Sequence, residues 1–364
     1  MATRWLLMAD YRFSERLNSM KAMLYYGARD IRFDTIADPT LIDDRDAIIK
    51  VDRCAICGSD LHIYHGQGFS EDIGYSVGHE AVGEVVEIGS AVRRLKVGDK
   101  VMVSAAVGCG ACAPCLAGNV TQCLNGMAQC YGLGQRLGGC QAEAVRVPAV
   151  DFNAALVPEG LSDDQALMLT DSLATAWFGC RNADIAPGKT VAVVGLGSIG
   201  LMAVEAAFVM GASRVFAIDP VPERRQIAQS LGAIAFDPAD ALDQIKEITH
   251  GRMVECVVEA VGHDVTIAAS LRLAARRGNV SVIGVNQDRR FEFPMSRAFN
   301  MGLTFRIGTC AVQEQWPELI PLIQSGRLHP ERFISHVMPL SQGAEAYALF
   351  DAKSAGALKM VMVP

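Results

Sequence analysis

Residues 190–212 read TVAVVGLGSIGLMAVEAAFVMGA. The β-branched start suits a buried strand, and the apolar run from Ser198 suits a helix that ends near Gly211. Between them, Gly195, Gly197 and Gly200 form a G-x-G-x-x-G turn, with Ser198 and Ile199 in its last variable positions. Glycines there let the backbone approach a pyrophosphate, whose charge is met by the free amides at the start of a helix. RVFAID follows, and Asp219 closes this second strand-like run about twenty residues past the turn, where a carboxylate can accept from an adenosine ribose. That carboxylate repels a 2'-phosphate and favours NAD over NADP. Arg224 and Arg225, close behind it, weigh the other way.

The alternation continues through RQIAQSLGA, VECVVEAVG, DVTIAASLRLAA and NVSVIGV, which predicts a doubly wound parallel sheet. From Met20 to about Val147 the pattern is different: AIIKVDRC, AVGEVVEIG, DKVMVSAAV and AEAVRVP are short β-like runs broken by glycine. Beyond about Phe305 the text is mixed and ends in LKMVMVP, a strand-like run that could rejoin either part. A chain of 364 residues exceeds what one core usually supports, so two domains are expected. Residues 1–19 carry no readable chemistry and are expected to be a loosely ordered arm or the product of an upstream start codon.

Composition bounds the partners. A formal net charge of −7 without a lysine or arginine cluster speaks against nucleic acid, and 51% hydrophobic residues against disorder. No run reaches the 18 or so uncharged apolar residues of a membrane span, and the N-terminal segment lacks a secretory core, so a cytoplasmic location is expected. The 11 cysteines are odd in number and crowd between Cys109 and Cys130, which reads as metal binding rather than a disulfide framework.

Cys109, Cys112, Cys115 and Cys123 stand as C-x2-C-x2-C-x7-C in GCGACAPCLAGNVTQC. Four thiolates able to reach one point make a closed, structural zinc site. The fourth spacing does not fit a ferredoxin-type cluster. A looser constellation is CGSDLH, Cys57 to His62, followed by Gly78-His79-Glu80. A catalytic zinc needs about three protein ligands and an open position, and cysteine and histidine here supply two. One carboxylate, Asp171, stands inside the apolar run ALMLTDSLATAWFG, where an unpartnered charge would be costly. It is either a helix cap after Thr170 or a ligand.

CGSDLH, GHEAVGEVVEIG, the four-cysteine lobe and VVGLGSIG together resemble the zinc-dependent medium-chain alcohol dehydrogenases, from about Met20 to the C-terminus. The resemblance implies a GroES-like β catalytic domain with an inserted Rossmann domain, an α/β plus β architecture. The division expected is 1–19 extension, 20–171 catalytic domain with its zinc lobe at 108–124, 172–305 NAD-binding domain, and 306–364 return to the catalytic domain. By resemblance, Cys57 and His79 are catalytic zinc ligands and Glu80 is the adjacent carboxylate that can approach the metal. Asp60 orients the histidine, Ser59 and His62 form a proton relay, Thr175 and Val285 lie beside the nicotinamide, and Lys359 lies near the diphosphate. The D-x-x-x-T run of Asp171 and Thr175 is similar to the branch of microbial secondary-alcohol dehydrogenases and formaldehyde dehydrogenase or dismutase, in which an aspartate is the third ligand.

The expected enzyme therefore binds two zinc ions per chain and moves a hydride reversibly between a small primary or secondary alcohol and NAD. The alternatives are a formaldehyde or aldehyde dehydrogenase or dismutase with tightly held NAD, and a noncatalytic nucleotide-binding relative. Retention of Cys57, Ser59, His62, His79 and Asp171 together argues against the last. Family members form dimers or tetramers, so a homo-oligomer is expected, with no membrane partner.

Overall fold

Thr190–Val194 is a strand whose last four residues are buried, as a strand covered on both faces must be. It is central in a six-stranded sheet, in which every pair is parallel. The spatial order is Ile234–Phe236, Arg214–Ile218, Thr190–Val194, Val254–Glu259, Ala274–Val282, Thr304–Ile307. Numbered within this sheet, that is 3-2-1-4-5-6, the doubly wound order with its switch point between Thr190–Val194 and Val254–Glu259. Helix Ser198–Val209 leaves the glycine turn and is buried nearly all round, which is why its sequence lacks a polar stripe. A Cβ at Gly200 would overlap the carbonyl oxygen of Gly195, so only glycine lets this helix start so close to the strand.

The structure is a computed structural model and describes residues 18–126, 129–287 and 290–364. The arm expected at the N-terminus lies, apart from its last two residues, outside the described residues. Asn18 precedes and Ser19 opens the strand Ser19–Gly27, which pairs with Asp30–Ala37 and Tyr75–Ser76.

The glycine-punctuated runs form a seven-stranded sheet in which Ala154–Leu156, Lys100–Val103, Glu80–Ile88, Ala47–Ile56, Met360–Val363 and His336–Pro339 lie side by side, with Ala144–Val147 also on Ala47–Ile56. Its C-terminal strand Met360–Val363 runs antiparallel to Ala47–Ile56, with Met360 opposite Ile56. LKMVMVP thus joins the first sheet. The parallel sheet continues to Ile307, so a division after residue 305 cuts through its edge strand. DKVMVSAAV, a single run in sequence, is two strands, Lys100–Val103 and Ala106–Val107, broken at Ser104, whose backbone amide bonds to Asn153.

Helices Asp163–Leu169 and Ser172–Asn182 carry the ALMLTDSLATAWFG run between the two sheets. The first begins with a Ser162–Gln165 capping box. The helices meet at Asp171, whose φ of −157° and ψ of −65° interrupt the spiral. Leu167, Met168, Leu169, Leu173, Ala174 and Ala176 have no exposed surface. They join one apolar core with Ala55, Val82 and Met102 of the first sheet and Val191, Val193 and Val258 of the second. Among the described residues, no helix is long and apolar enough to cross a membrane.

Candidate metal centre and dinucleotide turn

Three chain segments bring one side chain each to a common point. Cys57 follows the strand Ala47–Ile56, His79 precedes the strand Glu80–Ile88, and Asp171 sits at the helix junction. Their ligand atoms all lie within 4.8 Å of one another. Asp171 Oδ2 is 3.3 Å from Cys57 Sγ and 3.5 Å from His79 Nε2. Zinc bonds of about 2.0–2.3 Å place tetrahedral ligand atoms about 3.3–3.8 Å apart, so the donor set fits that ion. Asp171 occupies an N-cap position but makes no capping hydrogen bond. Its other oxygen accepts from Thr175 Oγ1 at 3.0 Å, which fixes the carboxylate with Oδ2 toward the cluster.

Electrostatics favour a cation here. Burial, followed by the negative charge of Asp171, pushes the Cys57 thiol up. Burial also opposes charge on Asp171, but the hydrogen bond and charge of His79, with that of Lys359, outweigh it and hold the carboxyl down to about 2. A buried carboxylate beside a cysteine is an arrangement that a divalent ion stabilises, by favouring the thiolate. Cys57 and His79 are almost wholly buried, while the Asp171 side chain is 14% exposed, so the centre is open on that side.

Asp60 and Gln141 pack around these side chains, Asp60 facing His79 as a charge contact. Asp60 Oδ1 lies 3.2 Å from His79 Nδ1, and its Oδ2 accepts from the Cys57 amide at 3.0 Å and from Gln141 Nε2 at 3.3 Å. Tyr347 donates to Gln141 Oε1 at 2.9 Å. Gly78, with φ of +84°, packs so closely on Gln141 that a Cβ would overlap its side chain. Gln141 and Tyr347 were not identifiable as site residues from sequence; the available signal was a polar residue inside the otherwise small and apolar GGCQA.

Two expectations are corrected. Glu80 does not approach the metal cluster: its Oε1 accepts from Ser172 Oγ at 2.6 Å, and its Oε2 pairs with Lys359. Glu80 opens the strand that follows His79, and its carboxylate is held by the Lys359 ammonium and the Ser172 hydroxyl instead. Lys359 does not present its amine to a diphosphate. It is fully buried, and its Nζ is committed to Glu80, Ser172 and the Ile56 carbonyl.

Ser59 Oγ is 3.5 Å from His79 Nε2. His62 lies on the short helix Asp60–Tyr64, three positions on and hence on the same side as Ser59. Burial, followed by the nearby His263 and His65, lowers the His62 pKa against a backbone contact with Val285 that raises it. Val285 is thereby beside His62.

At the dinucleotide turn, Gly197 is the N-cap of helix Ser198–Val209 and no side chain caps it, which leaves the first amides for an anion. Asp219 is buried, accepting from the Leu196 amide at 2.7 Å and the Val221 amide at 2.8 Å. The two arginines behind it differ. Arg225 is spent on the Asp219 and Pro220 carbonyls and Asp237. Arg224 stands with Nη1 4.0 Å from Asp219 Oδ2.

The four-cysteine lobe is a second fit to zinc. Cys109, Cys112, Cys115 and Cys123 have their sulfurs within 4.8 Å of one another, and the pairs Cys109–Cys115 and Cys112–Cys123 are each 3.9 Å apart. Tetrahedral zinc–sulfur bonds of about 2.3 Å require sulfurs about 3.8 Å apart. The amides of Ala111 and Cys112 donate to Cys109 Sγ at 3.4 and 3.3 Å, and that of Leu124 to Cys112 Sγ at 3.5 Å, which suits thiolates.

Comparison with known proteins places the chain in one family. Residues 43–159 match the alcohol dehydrogenase GroES-like domain family, and residues 198–325 match the zinc-binding dehydrogenase family. A probable zinc-binding alcohol dehydrogenase of Mycobacterium tuberculosis is 41% identical over 346 residues, covering 95% of this chain and 89% of the relative. The solved alcohol dehydrogenase of Thermus sp. ATN1 superposes with a TM-score of 0.89 at 37% identity, covering 94% of this chain and 99% of that one. A putative zinc-binding dehydrogenase from Sinorhizobium meliloti, solved bound to NADP, superposes with a TM-score of 0.82 at 29% identity, covering 96% and 100%.

Proposed function

Since the chain belongs to the zinc-dependent medium-chain alcohol dehydrogenase family, we propose that Cys57, His79 and Asp171 are the catalytic zinc ligands of this alcohol dehydrogenase. The observation that carries the reading is the convergence of these three side chains beside Ser59. Zinc supplies Lewis acidity toward the substrate oxygen, and the nicotinamide supplies the hydride acceptor or donor. The chain's own residues do the rest. With the ion bound, Cys57 and Asp171 would provide two anionic donors and His79, its proton released to make way for the ion, a neutral one facing Asp60. Ser59 Oγ takes the hydroxyl proton, and His62, kept neutral by its surroundings, accepts it on the way to solvent. The exposed edge of Asp171 marks the side from which a primary or secondary alcohol enters.

NAD is the preferred cofactor on this reading, because Asp219 sets a fixed carboxylate beside the glycine turn. The NADP held by the Sinorhizobium relative and the position of Arg224 make the preference testable through Asp219→Asn, which should weaken NAD relative to NADP. Cys109, Cys112, Cys115 and Cys123 hold the second zinc without an open position. A dimer or tetramer fits the free edge of Thr304–Ile307, where Ile307 is 61% exposed, and light scattering of the purified protein would measure it. Eleven cysteines without a disulfide suit a reducing, cytoplasmic setting.

The deciding experiment is metal content with alcohol-dependent NAD reduction. Wild type should carry two zinc ions per chain, and Cys57→Ser or Asp171→Asn should carry one and lose nearly all turnover. Near-wild-type turnover with one zinc would sink the ligand assignment.

A further inference from the structure

Lys359 has no exposed surface, and its ammonium makes three contacts: the Ile56 carbonyl at 3.3 Å, Ser172 Oγ at 2.9 Å, and the carboxylate of Glu80. Ile56 directly precedes Cys57, Glu80 directly follows His79, and Ser172 directly follows Asp171. An ammonium has three donors, and each is spent on the chain neighbour of a different metal ligand. The placement follows from pairing, since Met360 opposite Ile56 sets Lys359 at the end of the strand that leads into Cys57. Glu80 is fully buried as well, and Ser172 bonds both to it and to Lys359. Without the ammonium, a buried carboxylate one residue from His79 would keep only the Ser172 hydroxyl, and an ion at the three-ligand centre would be a cation able to satisfy it.

We propose that Lys359 is a positioning residue of the metal centre: it ties the three ligand-bearing segments together and keeps Glu80 from taking the place of Asp171. This rests on the ligand reading above.

The test uses full-length chain loaded with cobalt in place of zinc, with Cys57→Ser subtracted so that only the three-ligand centre contributes to the visible bands. Lys359→Met should lose metal from this centre to a competing chelator at least about tenfold more readily, the scale seen when outer-layer partners of metal ligands are removed. Its bands should also move as a carboxylate joins the ion. In Lys359→Met with Glu80→Gln the bands should return to the wild-type positions while metal retention stays weak. A purely structural lysine would lower the melting temperature and leave the bands in place. Wild-type bands and retention in folded Lys359→Met would overturn the proposal. Should that variant not fold, the double variant, which lacks the unpaired carboxylate, carries the test, and wild-type retention there overturns it equally. If Cys57→Ser and wild type show the same metal content and bands, the ligand reading has failed, and the Lys359 proposal fails with it.

Discussion

At the scale of the single residue, function depends on which protons and charges each side chain is held to. His62 is half-buried with two histidines nearby, and these outweigh the Val285 contact that would raise its pKa. A base whose pKa is lowered stays neutral to more acidic pH. Alcohol oxidation should therefore persist below the ordinary imidazole range and fall only at still lower pH. His62→Gln should remove that limb from the profile of kcat against pH and cut kcat by about 10²–10⁴-fold, the usual worth of acid–base assistance. An unchanged profile would exclude His62 from proton transfer. Asp60 acts through His79, so Asp60→Asn should weaken zinc at the three-ligand centre by about 10–100-fold and leave the lobe zinc bound, as metal analysis after dialysis against a chelator would report. Residues of this kind were only partly legible in the sequence. Ser59, Asp60 and His62 share one short helical turn with Cys57. Lys359 was misplaced because its partners depend on the pairing of strands about 300 positions apart, which no local pattern encodes.

Elements convert those residues into geometry. The strand Thr190–Val194 and helix Ser198–Val209 were readable because a buried parallel strand and a fully buried helix are both continuous apolar runs, punctuated by glycines. Gly200→Ala should force the helix from the strand, cost about 1–3 kcal/mol as overpacking does, and weaken NAD binding while zinc content holds at two per chain. Calorimetry and cofactor titration would check both halves, and unchanged NAD affinity would mean that the turn does not hold the pyrophosphate. The four-cysteine lobe was legible for a different reason: its ligands lie in one short segment and need no tertiary fold to find each other. Cys112→Ser should lose that zinc alone, lower the melting temperature, and leave the cobalt bands of the three-ligand centre unchanged. Partly legible at this scale was the break within ALMLTDSLATAWFG: the lone carboxylate reads as a helix cap or a ligand, and Asp171 stands at the start of the second helix, out of helical geometry, facing Cys57 and His79.

For the whole molecule, the decisive fact is that the two sheets share a core. Domains joined by small polar contacts move and melt separately, whereas a continuous apolar interface couples them. Here the helices on either side of Asp171 pack in one cluster with Val82 and Met102 of the sheet whose strands flank Cys57 and His79, and with Val191 and Val258 of the parallel sheet. Asp171 is thus held by the interface itself, and on the proposed ligand assignment cofactor binding on one sheet should steady metal held largely by the other. At 100 times its dissociation constant, NAD should stabilise the chain by about 2.7 kcal/mol. That gain should appear as a single displaced transition, followed by the fluorescence of the buried Trp177 and Trp316. Release of zinc from the three-ligand centre, followed by a metal-sensitive dye in a lobe-free background such as Cys112→Ser, should shift with it. Two separated transitions, with NAD moving tryptophan fluorescence but not zinc release, would show that the sheets unfold independently and that Asp171 is held from the catalytic side alone.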